Sequence, residues 1–257
     1  MKKKKRAYPR IKLISLLVLI FVFGILLGKF TNFNGDVNER FEGSISRFLI
    51  VDKSEDVRVS SIKIPAVDAQ GNGVSTELLI EVYPGNGKTL VDIDTLLYWA
   101  DTQDSIRMAK EVAANVTGMD LSKYDISYHI DANASLIGGP SAGSAIAIAT
   151  VAALQNKTLK EDVMITGTIN HDGSIGPVGE ITGKAKASKD VGAILFLVPL
   201  LQSNEITYET HEYCRKIVFT EFCTIEQIPK KVNVGAEAGI EVREVGSVLE
   251  ALEYFYE

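Results

Sequence analysis

The feature that most constrains the fold is a run of small apolar residues, "SAIAIATVAAL", at positions 144–154. The run contains no charged side chain, so a helix built from it would be apolar on every side. Such a helix has to be buried, because none of its faces favours contact with water. The run therefore predicts a central helix that other elements of the domain cover.

The segment in front of this run, "LIGGPSAG" at positions 136–143, contains three glycines, a proline and Ser141. A serine at the start of a buried helix has three interpretations. It could belong to a packing junction, to a phosphate-binding loop, or to the site of a nucleophile.

Hydrophobic periodicity predicts strands and helices on both sides of the central helix. Their mixing throughout residues 57–257 predicts one α/β domain with a mixed sheet, of the α+β type. The predicted strands occupy 57–67, 76–84, 124–130, 162–169, 192–199 and 240–245, and the predicted helices 102–118, 141–154, 183–192 and 247–255.

The charge distribution is uneven along the chain. The first 12 residues contain seven basic side chains, which leaves 20 basic against 33 acidic residues in the remainder. So acidic a domain is a poor partner for nucleic acid, whose binding depends on neutralising phosphates. The two cysteines, Cys214 and Cys223, fit no metal motif, and no metal site is expected. They could form one disulfide outside the cytoplasm or remain unpaired.

An uncharged run, "LISLLVLIFVFGILLG" at 13–28, predicts a transmembrane helix at 13–29. At 1.5 Å per residue it spans roughly 24 Å, and flanking lysines can extend that span. The basic residues 1–12 predict a cytoplasmic N-terminus, so everything after residue 29 is expected outside the cytoplasm on a single-pass anchor. A cleaved signal peptide is the alternative, but "KFTNFNGD" offers no small-residue cleavage site. Residues 30–56 are interpreted as a stalk and 57–257 as the main domain.

Two motifs resemble known sites but fail in detail. "PGNGKT" at 84–89 resembles the end of a phosphate-binding loop, yet Val82 stands where that loop needs its first glycine. Gly139-Pro-Ser-Ala-Gly143 matches the nucleophile elbow of α/β-hydrolases, but a loop separates it from the preceding strand, and Pro140 restricts the turn.

A serine nucleophile needs a base, and lysine serves only if burial lowers its pKa. On a helix at 183–192, Lys184 shares a face with Ala187, Ser188 and Val191. That face is small and otherwise apolar. Pattern alone also permits a lysine at the frayed first turn, with its ammonium in solvent.

The two central motifs together resemble the proteolytic domain of the Lon protease family. The first is "GGPSAGSAIAIATVAAL", and the second is "DVMITGTINHDGSIGPVGEITGKAKASKDVGAILFLVP". In that family the G-P-S-A-G serine is the nucleophile, and a lysine 43 residues later is its base. The resemblance, over roughly 57–257, implies that Ser141 and Lys184 form a catalytic dyad.

The resemblance also assigns supporting positions. Thr166 matches a threonine that hydrogen-bonds the lysine, and His129 matches a histidine before the nucleophile loop. Gly138 stands where the family often has an acidic residue. Residues from about 202 to 234, which contain both cysteines, look like an insertion. Without the family's ATPase module, the chain resembles the ATPase-free, membrane-anchored Lon-like proteins of archaea.

The expected activity is therefore ATP-independent serine endopeptidase cleavage of unfolded or membrane-proximal polypeptides, with no cofactor. Backbone N–H groups of Ser141 and of Gly138 or Gly139 are expected to bind the oxyanion. The family implies a homo-hexamer. Two alternatives stay open. One is a non-catalytic Lon-like binding or assembly module. The other is a GHMP-type small-molecule kinase that holds phosphate at the same glycine-rich loop.

Overall fold

The computed structural model describes residues 56–68, 71–92, 97–98, 100–131, 136–137, 139–217 and 219–256. The chain divides into two compact units, 1–54 and 55–257, and every described residue belongs to the second. The predicted basic N-terminus, the transmembrane helix at 13–29 and the stalk lie outside the described residues, apart from Asp56. Among the helices of the described part, none is long and apolar enough to cross a membrane.

The described unit contains both strands and helices, in agreement with the predicted mixed α/β class. The strands are β1 (Arg58–Val67), β2 (Gly73–Pro84), β3 (Thr89–Val91), β4 (Leu97–Tyr98), β5 (Tyr124–Asp131), β6 (Leu136–Ile137), β7 (Val163–Ile165), β8 (Thr168–Ile169), β9 (Ile175–Gly176), β10 (Leu195–Pro199), β11 (Asn204–Ile217), β12 (Thr220–Asn233) and β13 (Glu241–Val245). The helices are α1 (Ala100–Thr117), α2 (Gly143–Gln155), α3 (Ile181–Asp190), α4 (Val234–Ala238) and α5 (Val248–Phe255).

The larger sheet has the strand order β1-β2-β5-β3. The predicted hairpin forms its antiparallel β1 and β2, with Ile62 opposite Leu78, and β5 pairs antiparallel with β2. Strand β3 pairs parallel with β5, which makes the sheet mixed. Alternate residues of β2, namely Leu78, Ile80 and Val82, are buried, as expected of a sheet with one face on a core.

A second sheet has the order β13-β10-β7, and all its strands are parallel. Helix α3 precedes its central strand, β10, and Met164, Phe196 and Val198 of β7 and β10 are fully buried. The single strand expected at 162–169 is instead two short strands, β7 and β8, which Thr166 and Gly167 separate. This break matters for the site described below.

Helix α2 is buried along its length, as its composition predicts. Every residue from Gly143 to Leu154 is buried. The helix packs against α1, α5, β1, β2 and β8, so neighbours cover it on all sides. At its C-terminal end Asn156 adopts a left-handed conformation and closes the last turn on the carbonyls of Ala152 and Ala153.

The insertion forms a two-stranded antiparallel ribbon, β11 and β12, with most of its side chains exposed. Cys214 and Cys223 lie directly opposite each other on this ribbon and form a disulfide. Of the two open possibilities, the structure therefore has the bonded one. Because both sulfurs are in that bond, neither offers the thiolate that a metal ion binds.

The disulfide is expected to stabilise the ribbon locally, since an isolated two-stranded ribbon is marginally stable in water. For cysteines nine residues apart, loop closure contributes about 2.5 kcal/mol in the chain-entropy picture. Replacing both cysteines by serine should therefore speed amide hydrogen exchange at 215–222 by up to roughly 100-fold. Exchange in α2 serves as the internal control. Unchanged exchange at the ribbon tip would show that other contacts hold the ribbon together.

Candidate active site

Ser141 lies at the entry to α2, on a short 3₁₀ helix, Pro140–Ala142, that leads directly into it. Gly139, just before it, has φ of 104°, a conformation that side-chain-bearing residues rarely adopt. A Cβ at Gly143 would lie 2.9 Å from the backbone nitrogen of Ile169, so glycine lets α2 approach β8 closely. The spacing of glycines around Ser141 therefore has a steric cause in this fold.

The break between β7 and β8 holds the nucleophile loop in place. The backbone carbonyl of Ser141 accepts hydrogen bonds from the Gly167 N–H (3.0 Å) and from the hydroxyl of Thr166 (3.3 Å). The Ser144 N–H in turn donates to the Gly167 carbonyl (3.0 Å). We call these three hydrogen bonds the loop clamp. The family resemblance predicts a hydrogen bond from Thr166 to Lys184. In the structure the Thr166 hydroxyl donates to the Ser141 carbonyl instead.

Lys184 lies in α3 with only 5% of its surface exposed. Ala187 and Ser188, on the same face, are also buried, whereas Lys186 and Lys189 are exposed, so the predicted face is largely correct. The exception is Val191, which follows the end of the helix and is 37% exposed. Lys184 is therefore in the core and not at a frayed, solvated turn.

Burial lowers the pKa of the Lys184 ammonium below its usual value, because desolvation disfavours the charged form. The carboxylates of Glu180 and Glu205 act in the opposite direction. Within the described residues, the side chain of Lys184 makes no hydrogen bond and no ion pair. A buried amine without a bonded counter-ion is the state that a general base requires.

The structure brings Ser141 and Thr166 into contact, but no hydrogen bond joins Ser141 to Lys184 in the described part of the chain. Catalytic hydrogen bonds are often long before substrate binds. His129 lies on β5 with 43% of its side chain exposed, so it is not a core histidine. Its Nδ1 lies 3.3 Å from the carboxylate of Asp92, and in the described part of the chain no hydrogen bond joins it to Ser141 or Lys184.

A residue that the sequence did not indicate, Asp101, reaches the nucleophile loop. The Gly139 N–H, one of the expected oxyanion donors, donates to the Asp101 carboxylate at 3.1 Å. Gly138, the other candidate beside Ser141, lies outside the described residues. Asp101 also accepts from the Thr102 N–H (2.7 Å), which is ordinary behaviour for an acid in a first helical turn. Of these two contacts, the one with Gly139, 38 residues along the chain, links Asp101 to the site.

The contact between the Gly139 N–H and Asp101 also affects phosphate binding. A phosphate at the Gly139 N–H would meet the negative charge of Asp101, which disfavours the kinase interpretation of this loop. At "PGNGKT", the N–H groups of Asn86 and Lys88 both donate to the Asp125 carboxylate at 2.8 Å. The donors that a phosphate would need there are already bonded to an acidic side chain.

Comparison with known proteins identifies the same region. The sequence profile of the Lon protease (S16) C-terminal proteolytic domain matches residues 100–235. That match includes Ser141, Thr166 and Lys184.

Individual relatives agree with the profile. An archaeal Lon protease from Thermoplasma volcanium is 28% identical over 169 residues, which are 65% of this chain and 26% of the relative. A Lon protease from Fervidobacterium nodosum is 32% identical over 161 residues, 60% of this chain and 19% of the relative. The archaeal Lon protease of Thermoplasma acidophilum is 27% identical over 157 residues, covering 61% and 24%. The chain thus spans about a quarter or less of the length of these relatives.

The loop clamp predicts an effect for Thr166→Val, which keeps the side-chain shape and removes the hydroxyl. The loss of one buried hydrogen bond should cost about 1 kcal/mol and lower Tm by about 2–4 °C. Amide hydrogen exchange at 139–144 should rise. Thr150→Val is the matched control, because Thr150 is also buried but donates to Ile146 within α2. Equal exchange of the loop in both variants would contradict the clamp.

Proposed function

The chain belongs to the Lon protease (S16) family through the C-terminal proteolytic domain, and from that membership we propose that it is a serine endopeptidase. Ser141 is the nucleophile, and Lys184 is the base. The observation that carries this assignment is the burial of Lys184, which lowers its pKa, while its amine makes no hydrogen bond and no ion pair with another described residue.

The reaction follows from these two groups. The neutral Lys184 amine takes the proton of the Ser141 hydroxyl as Oγ attacks the substrate carbonyl carbon. The tetrahedral intermediate collapses when the ammonium of Lys184 protonates the leaving amine, and an acyl-enzyme remains. Lys184 then takes a proton from water, the hydroxide attacks the ester, and Ser141 regains its proton as the acid product leaves.

The loop clamp supports this chemistry by fixing the position of Ser141. Gly167 and Thr166 hold its carbonyl, so the hydroxyl starts from a defined backbone. For the oxyanion, the N–H of Ser141 at the helix entry acts with one from Gly138 or Gly139. The Gly139 N–H becomes available only when its contact with Asp101 breaks. Thr166 and His129 are kept as supporting residues.

The finer features of the proposal rest on the sequence. Residues 1–12 lie in the cytoplasm, 13–29 anchor the chain in the membrane, 30–56 form a stalk, and 57–257 form the protease domain outside the cytoplasm. The domain cleaves unfolded or membrane-proximal polypeptides without ATP, and it assembles as a homo-hexamer, as the family resemblance implies. The bonding of Asn86 and Lys88 to Asp125 supports nucleotide independence at "PGNGKT".

The first test measures cleavage of an unfolded protein by the full chain without ATP. Ser141→Ala and Lys184→Ala should each lower kcat/KM by more than about 1,000-fold, because either change removes the activated nucleophile. In the parent, kcat/KM should rise with pH through the pKa of Lys184, at a pH below that of an exposed lysine. Lys184→Arg should be inactive, since a guanidinium stays protonated.

Two neighbouring residues supply matched controls. Ser144→Ala removes a buried hydroxyl that has no hydrogen-bond partner among the described residues, three residues from the nucleophile. Lys186→Ala removes an exposed lysine of α3 that pairs with Glu237 at 2.8 Å. Both variants should retain the parent activity. Folded Ser141→Ala and Lys184→Ala variants that cleave like the parent would favour a non-catalytic module, and stimulation by ATP would contradict nucleotide independence.

The contact between Asp101 and Gly139 predicts that Asp101→Ala increases activity. Removal of the carboxylate frees the Gly139 N–H for the oxyanion, so kcat/KM should rise several-fold. Stability should fall by about 0.3–1 kcal/mol, because an acid is lost from the first turn of α1. Asp104→Ala is the control, since Asp104 pairs with Arg107 on the exposed side of the same helix. A fall in kcat/KM for Asp101→Ala alone would mean that the carboxylate supports the active loop.

A further inference from the structure

The root of the ribbon lies against the segment that begins α3. Glu205, the second residue of β11, accepts hydrogen bonds from the backbone N–H groups of Ile181 (3.2 Å) and Thr182 (2.9 Å). Just before β11, Gln202 makes a pair of bonds with Val178: its side-chain oxygen accepts from the Val178 N–H (2.9 Å), and its amide donates to the Val178 carbonyl (2.8 Å). Four hydrogen bonds thus join the insertion to residues 178–182.

Helix α3 lacks an N-terminal cap of its own. Glu180 occupies the capping position in a left-handed conformation, with φ of 59°, and its side chain makes no capping hydrogen bond. The first N–H groups of a helix have no partner within the helix, and a capping side chain contributes about 1 kcal/mol when it supplies one. In this protein the Glu205 carboxylate, 24 residues along the chain from Ile181, accepts these hydrogen bonds instead. The direction in which α3 begins therefore depends on the ribbon root.

Lys184 lies in the first turns of this helix, and its backbone N–H bonds to the Glu180 carbonyl at 3.1 Å. We propose that Glu205 is a positioning residue for Lys184. The Glu205 carboxylate fixes the first turn of α3 and places a negative charge near the buried amine. The proposal rests on the proposed function in that Lys184 is the base of the reaction. It assigns the insertion a role in the protease site.

The charges around Lys184 support this role. Its pKa is lowered by burial and raised by Glu180 and Glu205. The other charged groups of α3, namely Lys186, Lys189 and Asp190, are exposed, and Glu237 of α4 pairs with Lys186. On the packed strands β1 and β2, Lys63 and Glu77 lie opposite each other. Removal of the Glu205 charge removes one of the two carboxylates that oppose desolvation, so the pKa of Lys184 falls further.

The test compares Glu205→Gln with Glu244→Gln in the full chain. Glu244, in β13, accepts hydrogen bonds from the Leu201 N–H (3.0 Å) and the Ser203 N–H (2.8 Å) at the same ribbon root. It therefore makes the same kind of two-bond clamp, but it is not among the charges that act on Lys184. Loosening of the ribbon root alone should affect both variants equally.

For Glu205→Gln we expect the acid limb of kcat/KM against pH to move to lower pH, and kcat above that limb to fall several-fold. Glu244→Gln should keep the acid limb of the parent. Glu205→Asp retains the charge on a shorter side chain, so it should keep the limb and lose only kcat. The proposal would be overturned if the acid limb of Glu205→Gln coincides with that of the parent. It would also be overturned if Glu244→Gln shifts the acid limb by the same amount.

A second measurement separates this proposal from the proposed function. In the Ser141→Ala background, the rate of amine labelling at Lys184 is followed against pH by peptide mass spectrometry. Glu205→Gln should shift its midpoint to lower pH, whether or not the parent cleaves any substrate. If the midpoint shifts and the parent, with Ser141 intact, cleaves no substrate, the positioning role is supported and the protease activity is rejected. An unchanged midpoint would overturn the positioning role in a fully active enzyme.

Discussion

The structure depends on the burial of α2 from every side. A helix with no polar face is stable only where neighbours replace water around its whole circumference, and here the surrounding helices and strands do so. The close approach of β8 at Gly143 is part of that enclosure. Because the helix cannot shift without exposing apolar surface, its N-terminal end is a fixed point, and Ser141 lies at that point.

The two residues proposed as the catalytic dyad depend on different parts of the fold. Ser141 is fixed by α2 and by the loop clamp. Two residues of the clamp, Thr166 and Gly167, separate β7 from β8. Lys184 is carried by α3, which leads to the centre of the parallel sheet and begins against the ribbon root. Their relative geometry is therefore set by how the second sheet and the ribbon pack on the first part of the domain.

Carboxylates act on both halves of this site, with different consequences. Asp101 bonds to the Gly139 N–H, so an oxyanion would have to replace a group of its own charge. Glu180 and Glu205 favour the ammonium form of Lys184, whereas burial favours the amine. Since the net effect of these groups is a lowered pKa, desolvation outweighs the two carboxylates. Asp101 stabilises the nucleophile loop, and Glu205 stabilises the start of α3.

The sequence by itself determined the parts that depend on local pattern. The apolar run predicted α2, alternation predicted the β1–β2 hairpin, and the pattern around Lys184 predicted the buried face of α3. The assignment of Ser141 and Lys184 as a catalytic dyad stays a prediction. The ribbon had no such signal, because apolar and charged residues occur on both of its faces, and its disulfide stayed one of two possibilities. Only the tertiary structure decided the partners of Thr166, Gly139 and α3. Those contacts join residues 23 to 38 positions apart, and no local periodicity encodes which distant groups meet when a chain packs.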